Sequence, residues 1–343
     1  MKNKVNMTEH ELNQALLRTP QVIIKSLPEE PKNLLKYITR LKEPTISPNI
    51  KPEVKKMMLD NLLNNTEYIS TFLAIVATFF NNKKPVKQPQ MHIILGQTGS
   101  GKSNLSAKVL SENENTVIID SDKYKHYRPD AEILAEKSPT LYGFLTGPDA
   151  YGHRDNIYDY ATNNKYNILM EIAPSIKNGL FNIDITDLIN KGYKIDVHVL
   201  AVSKLNSALS IHERYEGQIE AELPTPKLTD LDRHNESFQA LNDIIKNLQN
   251  DKAIGINIYK RAKKYTEMPE LVFPKEGNIK YSCPYQALLE SQQLDYKNTI
   301  SQFNDRYSTI LEQMDRRKAP EEQYNQILEI REEYQQKRRV IKW

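Results

Sequence analysis

The stretch from Gly96 to Ser103 has the most specific chemistry in this sequence, because it fits the pattern G-x-x-x-x-G-K-[ST] at every fixed position. Glycines at three positions let the backbone turn tightly and point successive N–H groups at an anion. The lysine suits the β- and γ-phosphates of a nucleotide, and the serine hydroxyl suits Mg²⁺. We predict that ATP and Mg²⁺ bind here, with Ser103 as the metal ligand. The predicted phosphate-binding residues are Gly96, Gln97, Thr98, Gly99, Ser100, Gly101, Lys102 and Ser103.

The residues on either side of this loop have the periodicity that the pattern requires. Met91–Leu95 is a short apolar run typical of a strand, and Asn104–Leu110 has helical spacing. Strand, loop and helix is the context in which the pattern binds phosphate. A chance loop rich in Gly and Ser is the alternative, but such a loop seldom has both flanks.

Two carboxylates follow the next apolar run, where Val117–Ile119 leads into Asp120 and Asp122. Ligands of open α/β sheets bind outside the carboxyl ends of the strands, so these side chains are expected near the phosphate loop. Transfer of a phosphoryl group to a hydroxyl needs a carboxylate that orients the hydroxyl and accepts its proton. We expect Asp122 to be this base and Asp120 to hold the turn or act through metal-bound water. Exchanged roles, an Asx turn or a helix cap remain open.

From Met91 to Tyr259, short apolar runs alternate with helical segments, which indicates βαβ units and a largely parallel sheet. The fold class predicted is therefore α/β, a parallel sheet flanked by helices, with helical extensions at both ends. The predicted strands are 92–95, 117–119, 168–170, 195–202 and 254–258.

The composition of the chain limits the classes of partner and compartment that we expect. The 343 residues include 47 basic and 44 acidic side chains, so the net charge of +3 gives no reason to expect nucleic acid. The single cysteine, Cys283, excludes an internal disulfide and favours a reducing compartment. The longest apolar run, Phe72–Phe80, is too short to span a bilayer, and no apolar run follows the first residues as in a secretory signal. We expect a soluble protein without a membrane span.

Four segments together resemble the zeta-toxin family of P-loop kinases, and the likeness extends from about Met91 to Tyr259. The segments are Gly96–Ser103, Val117–Lys125, Gly192–Ser207 and His212–Glu216. The resemblance implies a P-loop kinase that uses ATP and Mg²⁺ to phosphorylate the 3′-hydroxyl of UDP-N-acetylglucosamine or a similar UDP-sugar. Some pathogen effectors of similar fold phosphorylate NAD instead. It also implies a possible antitoxin or immunity partner, and a place in the bacterial cytoplasm or, for a secreted effector, in a host cell.

The resemblance assigns roles residue by residue. Lys102 and Ser103 match the nucleotide and Mg²⁺ residues, Asp122 matches the catalytic base, and Arg214 matches an arginine that holds the transferring phosphates. The implied catalytic residues are thus Asp122, Lys102 and Arg214. The implied substrate-binding residues are Asp155, Glu171 and Asp120.

The sequence around the implied substrate-binding residues departs from the family pattern. Where the family continues Gly-Thr with an arginine shortly after, this chain has Ile172–Ser175, and Leu223 replaces a second phosphate-binding arginine. Arg233 is a candidate substitute. A segment that resembles the start of the family's next helix begins at Gly147.

The predicted organisation has three parts: a helical N-terminal extension at 1–85, a kinase domain at 86–268 and a helical C-terminal extension at 269–343. The first contains predicted helices at 8–17, 32–41 and 54–80, with a proline-interrupted linker from Pro44 to Pro52, and either packs on the core or binds a partner. The last contains predicted helices at 285–314 and 321–342, which are typical of a solvated hairpin. Its glutamate-rich segment 328–333 could instead be a secretion signal.

The leading hypothesis is an ATP- and Mg²⁺-dependent small-molecule kinase that acts on a nucleotide-sugar hydroxyl as a bacterial toxin or effector. One alternative is a kinase acting on NAD or another host nucleotide metabolite, which the altered Ile172–Ser175 segment favours. Another, from a different class, is a nucleotide-gated binding protein that works through its helical ends. Hydrolysis by a motor or switch NTPase also stays open.

Overall fold

The computed structural model describes residues 4–41, 50–138, 141–176, 183–262, 267–274 and 280–340. The strands are β1 (Lys4–Asn6), β2 (Thr39–Leu41), β3 (Gln90–Leu95), β4 (Thr116–Ile119), β5 (Asn167–Ile172), β6 (Lys194–Leu200), β7 (Ile254–Lys260) and β8 (Glu270–Phe273). The helices are α1 (Glu9–Arg18), α2 (Gln21–Lys25), α3 (Pro31–Leu34), α4 (Pro52–Asp60), α5 (Asn65–Phe79), α6 (Lys102–Glu112), α7 (Ser121–Tyr124), α8 (Ala131–Lys137), α9 (Tyr142–Asn163), α10 (Ile185–Asn190), α11 (Lys204–Glu220), α12 (Leu231–Leu248), α13 (Pro284–Arg316) and α14 (Glu321–Val340).

Six strands form one sheet in the order β4-β5-β3-β6-β7-β8. The pairs β4/β5 and β6/β7 are parallel, whereas β8 runs antiparallel to β7 at the edge. The expectation of a largely parallel sheet flanked by helices is confirmed. Apolar side chains of β3 and β6 are buried along nearly the whole of each strand, as is typical of strands covered on both faces.

The chain divides into two compact units. The first contains the described residues up to Gln90, with Glu114–Met170 and Asn190–Tyr193. The second contains Met91–Asn113, the described residues of 171–189, and those from Lys194 onward.

Two predictions for the first unit are wrong in detail. The helix expected over 54–80 is two helices, because the Asn64 side chain accepts a hydrogen bond from the Glu67 N–H and Glu67 reaches back to the Asn64 N–H, which starts α5 afresh. The helix expected over 32–41 ends early: α3 and a short 3₁₀ turn are followed by β2, which pairs with β1. The Pro44 and Pro48 part of the predicted linker lies outside the described residues.

Helix α9 also differs from the prediction, since it begins at Tyr142 rather than at Gly147 and contains Pro148 in its interior. Proline removes one backbone hydrogen bond from a helix. The residues next to it, Gly147, Asp149 and Ala150, are buried, so packing outweighs this local cost.

Asp149 is the centre of a buried charge cluster in the first unit. Its side chain is 1% exposed and forms ion pairs with Arg40 and with Arg128, the latter at 2.8 Å. The Leu63 N–H donates to the same carboxylate at 3.0 Å. A buried carboxylate is tolerated only when its charge is paired and its oxygens accept hydrogen bonds, so Asp149 needs both arginines and the backbone donor.

We predict that Asp149→Ala lowers the free energy of unfolding by about 3–5 kcal/mol, because the partly buried Arg40 and the buried Arg128 both lose this carboxylate, although Arg128 keeps its pair with Asp130. Urea denaturation measures this change. Asp159→Ala is the matched control on the same helix, since Asp159 pairs with Lys4 at 3.5 Å on the surface, and it should cost less than about 1 kcal/mol. Equal effects of the two substitutions would contradict the prediction.

In the second unit, α13 and α14 pack on α11 rather than standing in solvent along their whole surface. They bury a common hydrophobic cluster with α11 and the start of α12, in which Phe303 stacks on Tyr334 at 3.9 Å. Helix α13 extends close to the bounds predicted for it, and the predicted end of α14 at Lys342 lies outside the described residues. None of the helices in the described ranges combines the length and apolar character needed to cross a bilayer.

Candidate active site

The loop between β3 and α6 has the backbone form that its glycines predict. Gly99 and Gly101 have φ values of +81° and +94°, in the left-handed region that side chains seldom adopt. Gly99 also lies against α11, where an added Cβ would come within 2.2 Å of the Ser207 carbonyl oxygen and 2.9 Å of Ile211 Cγ1. Only glycine satisfies both constraints at this position.

We predict that Gly99→Ala prevents nucleotide binding and lowers the free energy of unfolding by at least about 2 kcal/mol, from backbone strain and overlap with α11. Calorimetric ATP titration and thermal denaturation measure the two effects. Gly217→Ala is the control, because Gly217 lies on α11 with open space around it and alanine should stabilise the helix by about 0.5–1 kcal/mol. Normal ATP binding by Gly99→Ala would show that the loop tolerates a side chain here.

Lys102 begins α6 and its side chain turns back over the loop. Its Nζ donates to the carbonyl oxygens of Gly96 at 2.8 Å and Gln97 at 3.2 Å. Burial lowers the pKa of Lys102 to about 8, while the carboxylate of Glu171 acts in the opposite direction. An ammonium group beside a glycine loop at the start of a helix is an arrangement that suits a phosphate.

Three further cations lower the pKa of Lys102, so the second unit concentrates positive charge around the loop: Arg214, Arg233 and Lys227. Two residues that the sequence placed in different parts of the site, Glu171 and Arg214, are thus both within electrostatic range of Lys102. Such a cluster is costly unless anions bind to it. The donor set fits a polyphosphate with its Mg²⁺, and Ser103, predicted to be the metal ligand, is exposed at the first turn of α6.

Gln97 and Ser100, which were predicted to bind phosphate, have buried side chains. The Gln97 side chain donates to the Val202 carbonyl oxygen at 2.9 Å and to Ser207 Oγ at 3.0 Å, and so fixes the loop to the end of β6 and to α11. Ser100 Oγ lies close to Gly96, where an added Cβ would be 2.4 Å away. The Ser100 N–H donates to the Gln97 carbonyl oxygen at 3.2 Å, so both residues hold the loop in shape, and their role in binding phosphate stays a prediction.

Arg214 lies on α11 one turn beyond the residues that contact the loop. Ser207, Ile211 and Arg214 are spaced by four and three residues, so they share one face of the helix. The Arg214 side chain is exposed, and its Nη2 is 3.4 Å from the Lys227 carbonyl oxygen. The structure therefore places a guanidinium group on the loop-facing stripe of α11, as a phosphate clamp requires.

Arg261, which we did not predict, also contacts the loop. It follows β7, and its Nη1 donates to Ser210 Oγ at 2.8 Å and lies 3.4 Å from the Gly99 carbonyl oxygen. Burial lowers its pKa from the usual value for arginine. Its position after the carboxyl end of a parallel strand was a signal that the sequence offered.

The altered segment after Glu171 is held by Arg233 of α12. Arg233 donates from Nη1 to the Pro174 carbonyl oxygen at 2.9 Å and from Nη2 to the Ala173 carbonyl oxygen at 2.7 Å. Glu171 itself is half-buried inside β5 rather than at its end, and Leu223 is exposed. Arg233 therefore supports the backbone where the family pattern has a different sequence, and its charge also reaches Lys102.

Three predicted residues belong to the first unit. Asp120 caps α7, with its carboxylate accepting from the Asp122 N–H at 2.9 Å, which is the helix-cap arrangement left open above. The exposed Asp122 carboxylate pairs with Lys125 Nζ at 2.6 Å. Asp155 is half-exposed on α9 and pairs with its neighbour Arg154 at 2.7 Å. The assignments of Asp120 and Asp155 to substrate binding stay predictions.

A buried strand, a glycine loop with lysine and serine, and a helix that begins at the lysine define a P-loop protein. The Zeta toxin family model matches residues 76–268, which are 193 of the 343 residues. The chain belongs to the zeta toxin family.

The individual relatives of this chain have low sequence identity to it. Toxin zeta of Enterococcus hirae is 28% identical over 154 residues, which are 45% of this chain and 54% of that protein. Toxin zeta of Streptococcus agalactiae is 28% identical over 191 residues, or 54% of this chain and 62% of that protein. The matched part therefore spans little more than half the length of these relatives. A solved structure from the PezAT chromosomal toxin–antitoxin system of Streptococcus pneumoniae has a similar fold, with a TM-score of 0.55 and 20% identity over 74% of this chain and 99% of that one.

Proposed function

We propose that this protein is an ATP- and Mg²⁺-dependent kinase that phosphorylates a hydroxyl of a small molecule, most specifically a nucleotide-sugar similar to UDP-N-acetylglucosamine. The observation that carries the proposal is the convergence of Lys102, Arg214 and Glu171 at a glycine loop with two residues in the left-handed region. Family membership supports the same activity.

The loop and α6 bind the triphosphate. Backbone N–H groups of the loop and Lys102 Nζ would donate to the phosphate oxygens, and the Ser103 hydroxyl would hold Mg²⁺. The metal neutralises phosphate charge when it is bound. Arg214 extends from α11 to the transferring γ-phosphoryl group, whose charge is spread over three oxygens in the transition state.

Asp122 is the proposed base. Its carboxylate accepts the proton of the acceptor hydroxyl as that oxygen forms a bond to the γ-phosphorus. The bond from this phosphorus to the β,γ-bridging oxygen breaks, and ADP leaves with the electron pair. Lys125, whose Nζ is 2.6 Å from Asp122, fixes the position of the carboxylate.

Glu171, Asp155 and Asp120 are proposed to bind the acceptor. The segment held by Arg233 favours a second acceptor class, NAD or another nucleotide metabolite, because its sequence departs from the family pattern directly after Glu171. Action in the bacterial cytoplasm with an antitoxin, or in a host cell with an immunity protein, is part of the same proposal. The toxin–antitoxin system of the similar solved structure supports the antitoxin.

The decisive experiment incubates the purified protein with γ-labelled ATP, Mg²⁺ and a panel of UDP-N-acetylglucosamine, other UDP-sugars, NAD and nucleosides. Label on one acceptor identifies the substrate class. Label on NAD alone would replace the nucleotide-sugar assignment. ATP binding without transfer to any acceptor would overturn the kinase proposal and favour a nucleotide-gated binding protein.

A further inference from the structure

Arg306 of α13 binds α11 at three successive turns. Its Nε and Nη2 donate to the two carboxylate oxygens of Glu213 at 2.6 and 2.7 Å, as a bidentate pair. Its Nη1 donates to Asn206 Oδ1 at 2.8 Å, and its Nη2 also lies 3.1 Å from Ser210 Oγ. The Arg306 side chain is 18% exposed and that of Glu213 is 37% exposed, so this pair is partly shielded from water.

Ser210 connects this arginine to the phosphate loop. Its hydroxyl oxygen has two lone pairs, and it accepts from Arg306 and from Arg261 Nη1 at 3.1 and 2.8 Å. Arg261 lies in turn against Gly99. A continuous path of polar contacts therefore runs from α13 through α11 to the loop, entirely within the second unit.

The same helix, α13, also fixes the beginning of α11. The Asp295 carboxylate accepts from the Ser203 N–H at 2.8 Å and from its hydroxyl at 2.6 Å, and Ser203 is the N-cap of α11. Asn206 donates to Asp295 at 2.9 Å. Phe303 and Tyr307 of α13 pack against Leu205 and Leu209 of α11 in the hydrophobic cluster. Helix α13 thus constrains both the axial position and the rotation of α11.

We infer that Arg306 is a positioning residue for phosphoryl transfer: it fixes the rotation of α11 through Glu213, and so holds the adjacent Arg214 at the phosphate loop. This inference rests on the proposed kinase function. Arg214 is exposed and long, so its tip follows any rotation of its helix. A displacement of about 1 Å at a reacting group can cost on the order of 10²-fold in rate. The C-terminal helices, which lie beyond the part of the chain that the family model matches, would then be required for turnover.

The chain offers a matched control. Arg316, also on α13, pairs with Glu220 of α11 at 2.7 Å, but it is 68% exposed and its partner is 52% exposed. Arg306→Met and Arg316→Met each remove one ion pair between the same two helices. We expect Arg306→Met to reduce turnover roughly tenfold to hundredfold with the dissociation constant for ATP changed less than about threefold, and Arg316→Met to leave both unchanged.

Hydrogen exchange at the amides of α11 separates this proposal from the proposed kinase function, because it does not require turnover. Arg306→Met should increase exchange in the half of α11 from Ser210 to Glu220 while β3 and β6 stay protected. Unchanged exchange in α11 would overturn the inference, as would faster exchange with normal turnover. If the wild-type chain transfers phosphate to no acceptor, the kinase function and the effect of Arg306 on transfer fail together, whereas faster exchange in Arg306→Met would still show that Arg306 holds α11.

Two further variants test whether Arg306→Met loses turnover only because the fold is damaged. Arg306→Lys keeps a charge for Glu213 but loses the planar fork, so it should fold and still lose turnover, and it decides the test if Arg306→Met is unfolded. Glu213→Gln combined with Arg306→Met should lose no more turnover than the worse single variant, because both act through one pair. Additive losses in the double variant would contradict the shared path.

Discussion

Replacing Lys102 with alanine is expected to weaken ATP binding by about 10²-fold or more and to leave phosphoryl transfer undetectable. The substitution removes the ammonium group at the centre of the phosphate loop. The fold should survive, because the side chain's hydrogen bonds are to loop carbonyl oxygens and a buried charge is lost rather than created. Calorimetric ATP titration and a labelled-ATP transfer assay measure the two losses, with circular dichroism as the check on folding.

The pKa of Lys102 adds a pH dependence with a definite sign. Because burial lowers this pKa to about 8, the free protein loses the charge that binds phosphate as the pH rises through 8. The dissociation constant for ATP should therefore rise by about tenfold for each pH unit above this value. Lys102→Arg is the control, since arginine stays charged and removes the dependence while titration of ATP itself is unaffected. Normal transfer by Lys102→Ala would remove the loop from the mechanism.

The sequence was sufficient to predict those parts of the site in which the residue types themselves determine the backbone conformation. The glycine positions predict a loop between a strand and a helix, and Gly99 and Gly101 do adopt left-handed conformations there. The parallel core strands were also predictable, because strands buried on both faces are nearly continuous apolar runs. Strand β8 was not predicted, since it is a short antiparallel edge strand with one buried side chain.

Contacts between distant parts of the chain could not be predicted. Arg306 is an ordinary charged residue in the sequence, and it acquires a role only because α13 brings it to Ser210 of α11. The Gln97 side chain shows the same limitation, because the loop pattern does not specify that residue and only the tertiary contact with Val202 reveals its structural role. The restart of a helix at Asn64 had a local signal, the Asn64–Glu67 capping box, which the long apolar period obscured.

Replacing Asp122 with asparagine is expected to reduce phosphoryl transfer by about 10²-fold or more while ATP binds normally. Asparagine has nearly the same shape but cannot accept the hydroxyl proton, and the triphosphate contacts assigned above lie on the loop and on Arg214. Single-turnover transfer, measured at saturating ATP with the acceptor found in the panel, isolates this step from binding.

Asp120→Asn is the matched control, because the two carboxylates are two residues apart and only one is proposed to be the base. Asn is as good a helix cap as Asp, so this variant should keep the cap on α7 that Asp120 forms with the Asp122 N–H. At saturating acceptor, where weaker acceptor binding does not limit the rate, we expect Asp120→Asn to transfer phosphate within about threefold of the wild type, because Asp120 is proposed to bind the acceptor and not to take its proton. The reverse result, a large loss in Asp120→Asn and none in Asp122→Asn, would exchange the two roles, because the residue whose charge matters must be the one that takes the proton.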